Sequence, residues 1–160
     1  MPRIGGLNLV ALIAAILVFY GIGFVFFGLI YEREWLLEIL SSLDYDGKSR
    51  NIEQLSNELL QSEWKKAFPD ANAAMGLGLG FLNAVISVIG LALVLKHLTS
   101  DAPGLFAALG WTVVIVFGFV ISTLAYDHIY AMASMPLFWM NFWHLICAYG
   151  AAALILTVID

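Results

Sequence analysis

Apolar positions fall into four long runs along this chain, at about 7–31, 73–95, 104–126 and 137–159, separated by three polar breaks. A helix rises about 1.5 Å per residue, so roughly 20 apolar residues cross a bilayer core, and each run is long enough. In hydrocarbon every backbone group must be bonded within its own segment, which makes each run a helix. The second and third breaks are short, so the helices they join are expected to pack antiparallel. The pattern predicts an all-α, polytopic membrane protein: one domain over 1–160, built as a four-transmembrane-helix bundle.

The first break, 32–72, is different in kind. It holds nine acidic and five basic residues, a net formal charge of −4. Glu32 to Leu40 is expected to carry the first helix beyond the membrane, and Asp44-Tyr45-Asp46-Gly47 to turn the chain. Ile52, Leu55 and Leu59 then share one helical face, with Leu60, Trp64 and Phe68 on the next, which predicts a broad amphipathic helix. Such a helix can lie on the membrane surface, cover the bundle end or meet a partner. Asp44 and Asp46 do not begin a calcium loop, because Ser49 and Leu55 stand where such a loop needs Gly and Glu. Ahead of the third run, Asp101 is placed to cap a helix and Pro103 to occupy its first turn.

Composition agrees with the pattern. Hydrophobic residues make up 62% and charged residues 12%, against about 45–50% and 25% in soluble domains. The formal charge of −5 comes with only seven Lys and Arg in no basic stripe, which excludes nucleic-acid binding. The single cysteine, Cys147, has no intrachain partner for a disulfide. The first run is too long for a signal peptide and ends in no cleavage-like site, so it is expected to be a retained span. Arg33, Lys48, Arg50, Lys65 and Lys66 lie in loop one, whereas Arg3 and Lys96 are alone on the other side. The positive-inside rule then puts loops one and three in the cytoplasm.

Small residues let membrane helices approach closely. They recur at Ala14, Gly21 and Gly28 in span one; at Gly76, Gly80, Asn83, Ala84, Ser87 and Gly90 in span two; and at Gly110, Gly118, Ser122 and Ala125 in span three. Each stripe is expected to face inward. In span four, about 100° per residue gathers Asn141, His144, Ala148, Ala151 and Ala152 on one side. Phe138, Trp139, Phe142, Trp143 and Tyr149 fall on the other, which leaves Trp139, Phe142 and Trp143 as a face for lipid or a partner. Asn141 and His144 lie within roughly 5–12 Å of the loop-one edge of the membrane at ~1.5 Å per residue. Ser122 and Thr123 share that layer, and Tyr20 and Asn83 lie slightly deeper. These six residues form a polar layer confined to one leaflet.

Chemistry in that layer is sparse. His144 could act as a base and Asp127 could orient a histidine, but no nucleophile or metal-binding run accompanies them. His128, His144 and Cys147 are too scattered to predict a metal site, and His97 ends on the far side. His144 could alone ligate a haem or chlorin, but no cofactor is expected. The expected role of Asn141 and His144 is hydrogen bonding between helices; the competing one is a pocket for a lipid headgroup, a ring or another small ligand.

The order of features also resembles domain-of-unknown-function family 1761, small four-helix bacterial membrane proteins. Phe19-Tyr20-Gly21, Phe27-Gly28 and Trp35 follow the family's first-span order, His97-Leu98 its second-span end, and Asn141 with Trp143-His144 its last-span pattern. The resemblance implies the same fold and a bacterial inner membrane, and supplies no activity. The expected function is that of a non-enzymatic integral membrane protein, an accessory or interaction subunit binding other membrane proteins, itself and membrane lipids. Small-molecule or lipid binding or transport through the polar layer is the alternative, and a haem- or chlorin-binding or catalytic membrane protein the second alternative.

Overall fold

The computed structural model describes residues 2–42, 52–99, 104–130 and 134–159. Four of its helical stretches are long and apolar enough to cross a membrane: Leu9–Ile30, Ala74–Leu98, Leu105–Tyr130 and Met135–Val158. The chain is thus an all-α multi-pass membrane protein. The turn expected at Asp44 to Gly47 and the helix start expected at Asp101 and Pro103 lie outside the described residues.

The first span begins two residues later than the apolar run does. Arg3–Ile4 (β1) and Leu7–Asn8 (β2) pair antiparallel, joined by Gly5 and Gly6 at φ +58° and +78°. Two consecutive left-handed residues suit a two-residue hairpin turn, and glycine adopts them without strain. Asn8 then caps helix α1, Leu9–Val25: its side-chain oxygen accepts from the Val10 amide at 3.1 Å. The other half of that amide donates to the Ile159 carbonyl at 2.8 Å. One residue therefore closes the start of the first span against the end of the last.

The bundle is held mainly by α1 against α7, Met135–Val158, with α4, Ala73–Leu98, packed on α1 and touching α7, and α5, Leu105–Ile115, against α7. The contact surfaces are alanine-rich: Ala15, Ala148, Ala152 and Ala153 have 0% exposure, and Ile16, Phe19, Ala84, Val88 and Leu91 complete the core. Lipid tails are as apolar as leucine, so close packing of small side chains replaces the hydrophobic effect as the force between spans. Spans two and three touch chiefly where α4 meets α5. The lower part of span three packs on α7 instead, by way of the π stretch Val116–Ile121 and α6, Ser122–Tyr130.

Two of the three small-residue stripes expected to face the core do so only in part: Ala84 of span two is buried and Ser87 half-buried, as is Ala125 of span three. Gly76, Gly80, Asn83 and Gly90 are exposed, while Ala84, Val88, Leu91 and Leu95 are buried. At 3.6 residues per turn the two sets lie roughly 100° apart around α4. In span three Gly110, Gly118 and Ser122 are exposed, and Ala108, Thr112 and Val116 face inward instead. Alanine rather than glycine fills these contacts. Ala14, Gly21 and Gly28 of span one are half-buried.

Loop one forms a helical hairpin. Helices α2, Glu32–Ser42, and α3, Asn57–Ala67, close on Leu36, Leu40 and Leu60, with Trp35, Ile52 and Trp64 around them. Leu60 is 0% exposed, whereas Leu59, one position away, is 52% exposed. The Arg33 guanidinium donates to the Leu55 carbonyl at 3.0 Å and to Asn57 Oδ1 at 2.7 Å, and Gln61 donates to Glu32 Oε1 at 2.9 Å. The apolar face of α3 is thus spent on α2. Replacing Leu60 by Ala should cost the hairpin about 2–5 kcal/mol. Amide exchange across Asn57–Ala67 should accelerate while that of α1 stays unchanged. Identical exchange in both proteins would mean that the hairpin does not rest on this contact.

Candidate functional site

His144 is the best-defined member of the expected polar layer, and its surroundings are aromatic. Its ring centroid lies 5.1 Å from that of Phe27, 5.9 Å from Phe26 and 6.4 Å from Phe19, the first and last edge-on. A methyl group added to Gly23 would stand 3.2 Å from Nε2, so the imidazole lies directly on the bare backbone of α1. Close approach, not backbone angle, favours glycine there: with any side chain the imidazole would have to give by a few tenths of an ångström.

The local helix geometry builds this cage. Span one widens into a π turn over Phe26–Ile30, where the Tyr31 amide donates to the Phe26 carbonyl at 2.7 Å. A π turn holds more residues than an α turn, so successive side chains diverge less. Phe26 and Phe27, adjacent in sequence, both reach the one imidazole. Among the described residues the His144 side chain makes no hydrogen bond, so ring contacts and the Gly23 backbone hold it.

The other expected members do not join it in a network. Asn141 is half-buried and donates from Nδ2 to the Leu137 carbonyl of its own helix at 2.9 Å. Ser122 and Thr123 are exposed. Their hydroxyls donate to the carbonyls of Gly118 at 2.8 Å and Phe119 at 2.7 Å, inside or beside the π stretch of span three. They bond backbone that the wider turn pairs less regularly, a local duty visible in the sequence only as Ser-Thr within an apolar run. Tyr20 alone reaches another span: its hydroxyl donates to the Leu77 carbonyl at 3.3 Å, and its ring meets Phe81 edge-on at 5.6 Å. Asn83 is exposed and makes no hydrogen bond among the described residues. The hydrogen bonding between helices expected of Asn141 and His144 is therefore absent: one bonds its own helix and the other packs against rings.

On span four the wheel separates the surfaces correctly at Ala148 and Ala152, which are buried, and at Trp139 and Trp143, which are 48% and 52% exposed. It errs at two rings. Phe142 meets Phe117 of span three edge-on at 6.0 Å, and Tyr149 meets Phe19 edge-on at 5.1 Å and packs on the core. A large ring between two spans is buried by its neighbour, whatever its angle on an isolated helix.

Chemically, the layer offers one imidazole, and among the described side chains no group is positioned to act with it. Among the described residues no three His, Cys, Asp or Glu side chains gather as a metal site would need. His128 stacks near Phe138, with ring centroids 5.9 Å apart, and Cys147 is exposed.

A feature the sequence did not signal lies at the opposite end of the bundle. A cavity of about 440 Å³ opens between the first turns of α1 and α5 and the last turns of α4 and α7. Ala11, Ala92, Ala108 and Leu156 wall it, and Lys96 stands at its polar side. Alanine at three of these helix ends, Ala11, Ala92 and Ala108, was the available signal, but it needs the neighbour relations of the spans to be read.

Residues 10–157 match the model of a protein family described as Protein of unknown function (DUF1761). No curated protein and no solved structure matches the chain.

Substituting Gly23 by Ala should press on the imidazole and destabilise the bundle by about 1–3 kcal/mol. Thermal unfolding in mild detergent measures this, and the paired change Gly23→Ala/His144→Ala should recover part of the loss. An unaltered midpoint for Gly23→Ala would contradict the contact. Asn141→Ala, which removes a bond within one helix, should cost about 1 kcal/mol or less in the same measurement.

Proposed function

The chain belongs to the DUF1761 family, and from that premise we propose that it is a non-enzymatic membrane protein that docks other transmembrane helices, a second copy of itself first, through the outer face of span two. The observation that carries this is Asn83. It lies near the middle of Ala74–Leu98, exposed, on the same face as Gly76, Gly80 and Gly90. A primary amide facing hydrocarbon leaves its donors and acceptor unpaired, which costs free energy unless something covers it. The glycines beside it give a partner helix room to come close, since a methyl added at Gly76 or Gly90 would touch nothing within 4 Å. An amide is both donor and acceptor, so two copies related by a two-fold axis satisfy each other.

Trp139 and Trp143 extend the outward surface on span four, as lipid anchors or partner contacts. We take the membrane to be a bacterial inner membrane and loop one to be cytoplasmic, because five of the seven Lys and Arg lie in that loop. The α2–α3 hairpin would then present a compact, charged surface to cytoplasmic partners, as an accessory subunit requires.

Asn83→Leu is expected to weaken self-association by about 1 kcal/mol, roughly fivefold, in line with hydrogen bonds between membrane helices. Gly76→Leu and Gly90→Leu, at positions where an added methyl meets nothing within this chain, should do so more strongly by blocking close approach. Energy transfer between labelled copies in lipid vesicles reports both. If wild type shows no transfer and native-detergent purification yields only bare monomer, the proposal fails. If a different membrane protein co-purifies and is lost with Asn83→Leu, the partner is that protein and the docking face stands.

A further inference from the structure

We propose that the cavity between the helix ends opposite loop one binds an amphiphile with a single anionic head, a carboxylate or a phosphate monoester, its chain among the alanines and its head at Lys96. Its volume of about 440 Å³ falls within the roughly 300–1,000 Å³ range of small-molecule pockets. The space exists because three of the four helices contribute alanine there: Ala11, Ala92 and Ala108 are each buried, and none is long enough to reach across. The alanine walls leave apolar room that an alkyl chain fills by close packing, the same force that holds the spans together.

The head is specified by which polar groups remain free to donate. Thr99 and Thr157 also line the cavity, but each hydroxyl donates to a carbonyl one turn back, Leu95 and Ala153, at 2.7 Å. Asn8 uses its side-chain N–H on Ile159. Lys96 is different. Among the described residues its ammonium donates once, to the Gly5 carbonyl at 2.8 Å, and an ammonium has three protons to give. It is held in place as well: the Gly5–Gly6 turn lies so close that a side chain on Gly6 would collide with Nζ. The first turn of α5 lines the same space, and its N-cap, Gly104, supplies no side-chain acceptor to the amides there. An ammonium with spare donors and the positive end of a helix dipole both favour an anion. The apolar walls favour a chain attached to it. A neutral chain forfeits the first contribution, and an inorganic anion the second.

The test uses the full chain in phosphatidylcholine nanodiscs, incubated with isotope-labelled palmitate, hexadecyl phosphate or hexadecanol, and the ligand retained per protein is measured by native mass spectrometry. The neutral alcohol is expected to be retained about tenfold less than at least one of the acids, a difference of about 1.4 kcal/mol. Lys96→Gln should abolish that preference, and Lys96→Arg should keep it. Ala108→Leu and, independently, Ala92→Leu should reduce retention of every chain, and circular dichroism checks that each variant is folded. Retention of palmitate alone assigns a fatty-acid source, and of hexadecyl phosphate alone a lipid-phosphate source. Equal retention of acid and alcohol, or acid retention unchanged by Lys96→Gln together with both alanine variants, overturns the proposal.

Discussion

Close approach between the first and last spans is the constraint on which the rest of the structure depends. A bilayer supplies no hydrophobic force to push apolar helices together, so what holds them is van der Waals contact, and that demands small side chains at the crossing. Ala15 on α1 and Ala148, Ala152 and Ala153 on α7 meet this demand with no exposed surface at all. Because those backbones are near each other, His144 comes to rest on Gly23, Tyr149 is captured by Phe19, and Asn8 can reach the Ile159 carbonyl.

The same economy of side-chain volume has opposite consequences along the bundle. At the centre, alanine against alanine leaves no gap. Toward the end that carries β1 and β2, Asn8 still ties the start of α1 to Ile159, but the alanines of α1, α4 and α5 leave space open between the helix ends. In the other leaflet the gap is filled by rings: Phe19, Phe26 and Phe27 around His144, and Phe117 against Phe142. Both π stretches serve that filling. The one in span one turns two adjacent phenylalanines onto one imidazole, and the one in span three is accompanied by the hydroxyls of Ser122 and Thr123.

The spans were legible because twenty or so apolar residues have one conformational solution in hydrocarbon. The inward face of span four was legible at Ala148 and Ala152, where a wheel on one helix suffices. The glycine stripes were misread for a physical reason. Small residues mark a surface made for close approach, but they do not say whether the approaching helix belongs to the same chain. Gly76, Gly80 and Gly90 keep that surface on the outside, with Asn83 among them. The polar layer misled differently: Asn141, Ser122 and Thr123 can each bond a carbonyl of their own helix, so shared depth did not imply shared bonds. The cavity was hidden because it belongs to four helix ends at once and to no motif.

In the proposed reading span two presents the docking face, with Asn83 exposed among Gly76, Gly80 and Gly90. A density map of the native particle extracted with its surrounding lipid shows directly what lies against Gly76, Gly80, Asn83 and Gly90. A protein helix there, its axis at or below the roughly 8 Å lower end of ordinary helix packing and an amide or other polar group facing Asn83, is the predicted result. Ordered or disordered lipid chains along the whole face, with no protein against it, would contradict the account.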